Sequence, residues 1–239
     1  MTEIPNLKII GTSHIAKQSL DEIHTAFASF SPDIVAVELD RKRLHALFSK
    51  EEQKISLSDI RHIGFKGYVF ALVGRFVQKK LGSAVGVAPG SEMKLAVELA
   101  HKNKLKIALV DQDIDKTLQR FSQALTWREK FRFIADMFRG LFNKKRAMEE
   151  LGIKDLDLSQ VPDKEVIKKM ILHLKRRYPS IYKVLVDERN HVMAKNIVKL
   201  LHKEPESKIL VIIGAGHEEG LQKLIQKKFH LIDVAPSHK

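Results

Sequence analysis

The stretch ILVIIGAGH, residues 209–217, decides the fold. Residues 209–213 are an unbroken aliphatic run with no polar alternation. Such a run suits a strand buried on both faces of a parallel sheet. Gly214 then permits a tight turn, and Ala215, Gly216 and His217 follow. The same order occurs near the amino terminus, where the run 7–10 leads into Gly11-Thr12-Ser13-His14. Between these ends lie two further strand-like runs, 34–39 (IVAVEL) and 107–110 with Lys106 leading in, and a fifth, 231–234, closes the chain. Helical spacing separates them. Residues 19–30 put Leu20, Ile23 and Phe27 on one face. Residues 91–102, opened by Pro89-Gly90, do the same with Met93, Val97 and Ala100. Strand and helix in alternation predict an α/β fold with a mostly parallel central sheet flanked by helices.

The middle of the chain reads differently. Residues 57–81 and 118–201 carry almost only helical patterns, such as Ile167, Met170, Ile171 and Leu174. These are too many helices for crossover connections alone. We expect a single domain over residues 1–239, with a helical insertion or cap at about 115–203. That region has more apolar helix faces than one small sheet can cover, which predicts a homodimer contact.

Composition narrows the function. The chain has 239 residues, within the size of one core, and 44% of them are apolar. Lys and Arg number 42 against 29 acidic residues, a net charge of +13. That balance favours polyanions in general, including an anionic membrane surface. The basic residues are scattered, however, as on solvated helix faces. Only Trp127, three Tyr and scattered Phe are available to stack bases, which argues against nucleic acid. With no cysteine, disulfides, thiolate metal sites and Cys nucleophiles are excluded. The start MTEIPNLKII does not read as a signal peptide, and no apolar run approaches the ~20 residues of a spanning helix. The expectation is a cytoplasmic protein.

Residues suited to chemistry collect at the predicted strand ends, where open α/β sheets bind ligands. His14 and His217 occupy equivalent strand-Gly-x-x-His settings, and each imidazole can hold a metal or move a proton. Glu38 and Asp40 alternate onto one side at the end of the second strand. Directly after IVAV, Glu38 is costly unless paired or metal-bound. Asp111 and Asp113 follow the third strand, with helix capping as the alternative role. Glu92 sits in a first helical turn, where a carboxylate also favours the helix dipole. Asp187-Glu188-Arg189 falls in a helical pattern over 181–201. Three consecutive charges span more than one face, so at least one member points inward or at a partner.

Two histidines with one or two carboxylates form a ligand set for a divalent ion with open positions. We expect His14, His217 and Glu38 as ligands, with Zn, Mn or Co as candidates. Glu38 or Glu92 would act as general base, and Glu188 and Arg189 complete the catalytic set. Two other motifs fail on spacing. Gly214-x-Gly216-x-x-x-Gly220 has one residue too many for a dinucleotide fingerprint, and Glu188-x-x-His191 lacks a second copy for a di-iron site.

Taken in order, these blocks resemble the TraB/PrgY family, within a wider Gly-x-x-His group that includes the Tiki proteases and the ChaN and erythromycin-esterase folds. The resemblance runs from Gly11-Thr12-Ser13-His14 through residues 32–40 with Arg43, residues 86–93, and Asp111-Gln112-Asp113-Ile114 with Thr117 and Arg120. It continues through 186–190 with Met193-Ala194 to Gly214-Ala215-Gly216-His217. On this likeness Gly11, Asp40, Asp111, Asp113, Arg120, Gly214 and Gly216 are supporting residues. Gln112 stands where the family often has Arg, and Asn190 where it often has Asp, so neither reads as essential. The resemblance implies a metal-dependent, hydrolytic activity with peptides as the substrate class. A non-catalytic protein binding a peptide or small ligand in the same cleft is the alternative.

Overall fold

Residues 34–37, the first four of IVAVEL, form a strand in which every side chain is buried. The computed structural model describes residues 4–12, 17–49, 90–142 and 164–233. These fall into two compact units. The first comprises the described parts of Met1–Glu52, Gly90–Ile114 and Glu188–Lys239, and the second those of Gln53–Pro89 and Asp115–Asp187. The helical pattern at 57–81 and the expected ligand His14 lie outside the described residues.

The first unit holds the sheet. Its strands are β1 (Leu7–Thr12), β2 (Ile34–Val37), β3 (Lys106–Leu109) and β4 (Ile209–Gly214). They are all parallel, in the order β1-β4-β2-β3. Helices α1 (Lys17–Phe30), α2 (Arg41–Phe48) and α3 (Ser91–Lys102) belong to this unit. So do two later helices, Glu188–Lys203 and Ala215–Asp233. Alternate residues of the two central strands feed opposite layers. Ile34, Ala36, Ile209, Val211 and Ile213 pack with Met193, Ile197, Leu201, Leu221 and Ile225 of the two late helices. Val35, Val37, Leu210 and Ile212 pack with Ile23 of α1 and Met93, Ala96 and Ala100 of α3. The absence of polar alternation in ILVII is thus explained, since both faces of β4 are covered.

Two expectations need correction. Residues 231–233 are helical, not a closing strand, and end the helix Ala215–Asp233. The spacing of Leu221, Leu224 and Ile225 carries one buried helical face toward Phe229, so the apolar run that follows extends a helix already laid on the core. The run at 106–109 is an edge strand, and its Lys106 and Ile107 are exposed.

The second unit is helical among its described residues. It contains α4 (Ile114–Ala124), which begins at the last residue of the first unit, α5 (Trp127–Phe142), α6 (Lys164–Arg177) and α7 (Pro179–Tyr182). A π-helical turn, Lys183–Asp187, follows α7, and α8 (Glu188–Lys203) then returns to the first unit. The continuous helix expected over 181–201 is therefore interrupted. The final helix, Ala215–Asp233, is α9.

Candidate functional site

Parallel strands deliver their carboxyl ends to one edge of the sheet. β1 and β4 run in register there, with Gly11 opposite Ile213 and Thr12 opposite Gly214. The ends of the two strands, Gly11-Thr12 and Ile213-Gly214, therefore lie side by side. Thr12 Oγ1 fastens them by donating to the Ile213 carbonyl at 3.2 Å. Gly11 lies against the first turn of α9, where an added Cβ would stand 3.0 Å from the Cβ of Glu218. A side chain at 11 would thus separate the turn from the helix that carries His217.

Glu38 follows β2 and is buried. Its backbone N–H donates to the Ile212 carbonyl at 3.1 Å, extending the β2–β4 ladder by one bond. Its carboxylate bridges two elements. Oε2 accepts the Gly214 N–H at 2.6 Å, while Oε1 pairs with Arg189 Nη2 and lies 3.4 Å from His217 Nε2.

Arg189, in the first turn of α8, is the hub. Its Nε donates to Asp111 at 3.1 and 3.2 Å, its Nη2 meets both Asp111 and Glu38, and its Nη1 stands 3.2 Å from His217 Nε2. Burial opposes its charge. The fields of Glu38 and Asp111 and their hydrogen bonds more than offset that, so Arg189 is held even more firmly cationic than usual. A guanidinium only donates, so His217 Nε2 accepts from it and the ring proton resides on Nδ1. That nitrogen is 2.7 Å from Asn190 Oδ1. His217 thus turns its Nε2 toward both Arg189 and Glu38.

The chain of contacts continues away from His217. Arg43 Nη2 reaches Asp111 at 2.5 Å and the Gln112 carbonyl at 3.1 Å, and its Nε reaches Asp40 at 2.6 Å. Asp40 also caps α2, accepting from the N–H groups of Lys42 and Arg43 at 2.8 and 3.0 Å. It accepts the Ile114 N–H at 3.1 Å as well. Burial works against the Asp40 carboxylate, but the Arg43 hydrogen bonds and charge, with the Lys42 N–H, bring its pKa below the ordinary value.

The structure brings Glu38, Asp40, Asp111, Arg189, Gly214 and His217 into one connected cluster. The other expected residues are placed as follows. Glu92 is fully buried in the first turn of α3, where Ser91 Oγ donates to its Oε2 at 3.5 Å. Glu188 is half-buried at the start of α8, and Gly216 is half-buried at the start of α9. Asp113 is exposed. Arg120 belongs to the second unit, with its Nη1 3.5 Å from Gln123 Oε1. Sequence reading set aside Asn190, which orients His217, and placed Arg43 only as a neighbour. Asn190 falls on the stripe Asn190, Met193, Ala194, Ile197, Val198, Leu201, the buried face of α8. A polar residue opening that stripe was its available signal.

A divalent ion can be tested against this geometry. Two donors on one tetrahedral ion with bonds of about 2.1 Å stand roughly 3.4 Å apart. Glu38 Oε1 and His217 Nε2 have that separation. The pair fits such an ion by spacing and by donor type. No group of three or more His, Asp or Glu in ligating arrangement occurs among the described residues.

Fold and site together define an α/β protein with a buried charged cluster at the carboxyl edge of a parallel sheet. A family model described as TraB/PrgY/gumN matches residues 4–228, and the chain belongs to that family. It is 38% identical over 223 residues to an uncharacterized protein of Methanocaldococcus jannaschii, covering 93% of this chain and 54% of that protein. It is 23% identical over 245 residues to the human TraB domain-containing protein, covering 90% of this chain and 61% of that one. The bovine TraB domain-containing protein gives the same identity and coverage. The chain thus spans little more than half the length of these curated relatives. Among the described residues no helix is long and apolar enough to cross a membrane.

Proposed function

We propose that the chain is a divalent-metal-dependent hydrolase whose substrates are peptides. The observation that carries the metal reading is the Glu38 Oε1–His217 Nε2 pair, 3.4 Å apart at the carboxyl ends of adjacent central strands. Those two side chains would hold the ion. When bound, such an ion supplies Lewis-acid polarisation and a more acidic water. The chain's own residues do the remaining work. The Gly214 N–H fixes the Glu38 carboxylate, and Asn190 fixes the His217 ring with its Nε2 toward the cleft. Arg189 pairs with Glu38 and Asp111, and Arg43 with Asp111 and Asp40, so each buried carboxylate has a cationic partner. The peptide class rests on the family likeness. The test is hydrolysis of a mixed peptide library, read by mass spectrometry, with and without added Mn²⁺ or Zn²⁺. Metal-dependent cleavage that His217→Ala abolishes supports the proposal. No cleavage under any metal condition counts against it.

One observation favours the second reading, a non-catalytic ligand-binding protein. The Arg189 guanidinium lies against both donors of the pair, so they already have a cationic partner without an added metal ion. Stoichiometric binding of a peptide without turnover distinguishes it.

A further inference from the structure

We infer that Arg189 is the internal cation of this site, and that its guanidinium must release Glu38 and His217 for a divalent ion to bind them. The inference rests on the metal reading and specifies what controls loading. An imidazole nitrogen has one lone pair, and His217 Nε2 presents its lone pair to Arg189 Nη1 at 3.2 Å. That lone pair serves an N–H or an ion, never both. Nη2 of the same guanidinium pairs with Glu38 Oε1, the other donor. A divalent ion on these atoms would also meet a guanidinium charge in hydrogen-bond contact with its own ligands, in a buried setting that screens charge poorly.

Two features make the exchange feasible without unfolding. Asp111 binds Arg189 independently, through Nε at 3.1 and 3.2 Å and through Nη2. The guanidinium can therefore keep Asp111 while giving up the other two contacts. Arg43 also binds Asp111 at 2.5 Å, so that carboxylate stays held by a second guanidinium while Arg189 moves. An alternative role for Arg189 predicts the reverse outcome: if it orients Glu38 for the ion, its removal weakens binding.

The experiment is calorimetric titration of the folded chain with Mn²⁺ or Zn²⁺ alone. Arg189→Gln should bind at least about tenfold tighter than the parent, a difference well within measurement. Adding Glu38→Gln to that variant should remove the gain. Arg189→Met, which refills the volume with an apolar chain, should show the same gain and serves if the Gln variant fails to fold. In the unmutated chain, metal addition should shift the Arg189 Nε–H resonance as its Nη contacts are lost. Equal or weaker binding by the Arg189 variants, with a parent that still binds, overturns the inference and leaves the metal reading standing. A gain that survives Glu38→Gln places the ion elsewhere and also overturns it. No binding by any form overturns both.

Discussion

Asn190 Oδ1 accepts the Nδ1–H of His217 at 2.7 Å, and the far side of the same amide rests on Gly220, one turn along α9. A Cβ at position 220 would stand 2.5 Å from Asn190 Nδ2. The amide is buried, so it can yield only by leaving His217. Helix propensity alone makes Gly→Ala favourable by about 1 kcal/mol, whereas overpacking costs about 1–3 kcal/mol. Gly220→Ala is predicted to lower the thermal midpoint and perturb the His217 ring resonances. A raised midpoint with unchanged resonances would show that the amide has room to move.

Asp40 gives the site a defined acid sensitivity. Its folded pKa lies below the ordinary 3.8 because Arg43 and the α2 cap outweigh burial. A depressed carboxylate pKa contributes stability above the unfolded value, and that contribution is lost as pH falls through the folded value. Asn keeps the N-cap but not the charge. Asp40→Asn should therefore be less stable than the parent at pH 7, with the gap closing as pH falls below about 3.8. Urea midpoints at both ends of that window decide it, and a constant gap would contradict it.

The second unit carries its own titration. Tyr178 donates to Asp136 at 2.6 Å, and Arg177 binds the same carboxylate. Burial and then the Asp136 hydrogen bond push the Tyr178 hydroxyl up to about 12. The protonated phenol favours the fold, so its contribution is complete below pH 10 and is lost as pH rises toward 12. The difference in ultraviolet titration between the parent and Tyr178→Phe should show one phenol ionising near 12. Asp136→Asn should bring that step down, and a step at the ordinary value in the parent would refute the assignment.

Trp127, the single tryptophan, is 71% exposed on α5 beside Phe131 at 68%, with Lys130 Nζ 3.8 Å over its ring. Dilute protein should show water-exposed emission that soluble quenchers suppress. The proposed homodimer is checked in the same samples by light scattering. If its contact includes this face, quenching will fall as concentration rises. A monomer throughout the range would end the dimer proposal.

Much of this arrangement could be read from residue order. Apolar runs without alternation marked β2 and β4 because both faces of those strands are covered. Glu38 stood out because a carboxylate after IVAV needs a partner. The terminal run at 231–234 misled because Leu231, Ile232 and Val234 fit a strand as well as a continuing helix. Only the packing of Leu221 and Ile225 decides between them. Asn190 and Arg43 were hidden for another reason. Their roles depend on α8 meeting α9, and on α2 meeting the end of β3, approaches that local patterns do not encode. Asp187-Glu188-Arg189 showed that a charge turns inward, but not which one. Arg189 is the member that reaches Glu38, Asp111 and His217.

The central claim is that Glu38 and His217 hold a common divalent ion. An anomalous difference map at the metal edge, from crystals of untagged protein grown with Mn²⁺ or Zn²⁺, tests it most directly. The account predicts one strong peak within about 2.0–2.2 Å of both Glu38 Oε1 and His217 Nε2, with Arg189 drawn back onto Asp111. It is contradicted if, at saturating metal, the Arg189 guanidinium still contacts both of those atoms and the peak is elsewhere or absent.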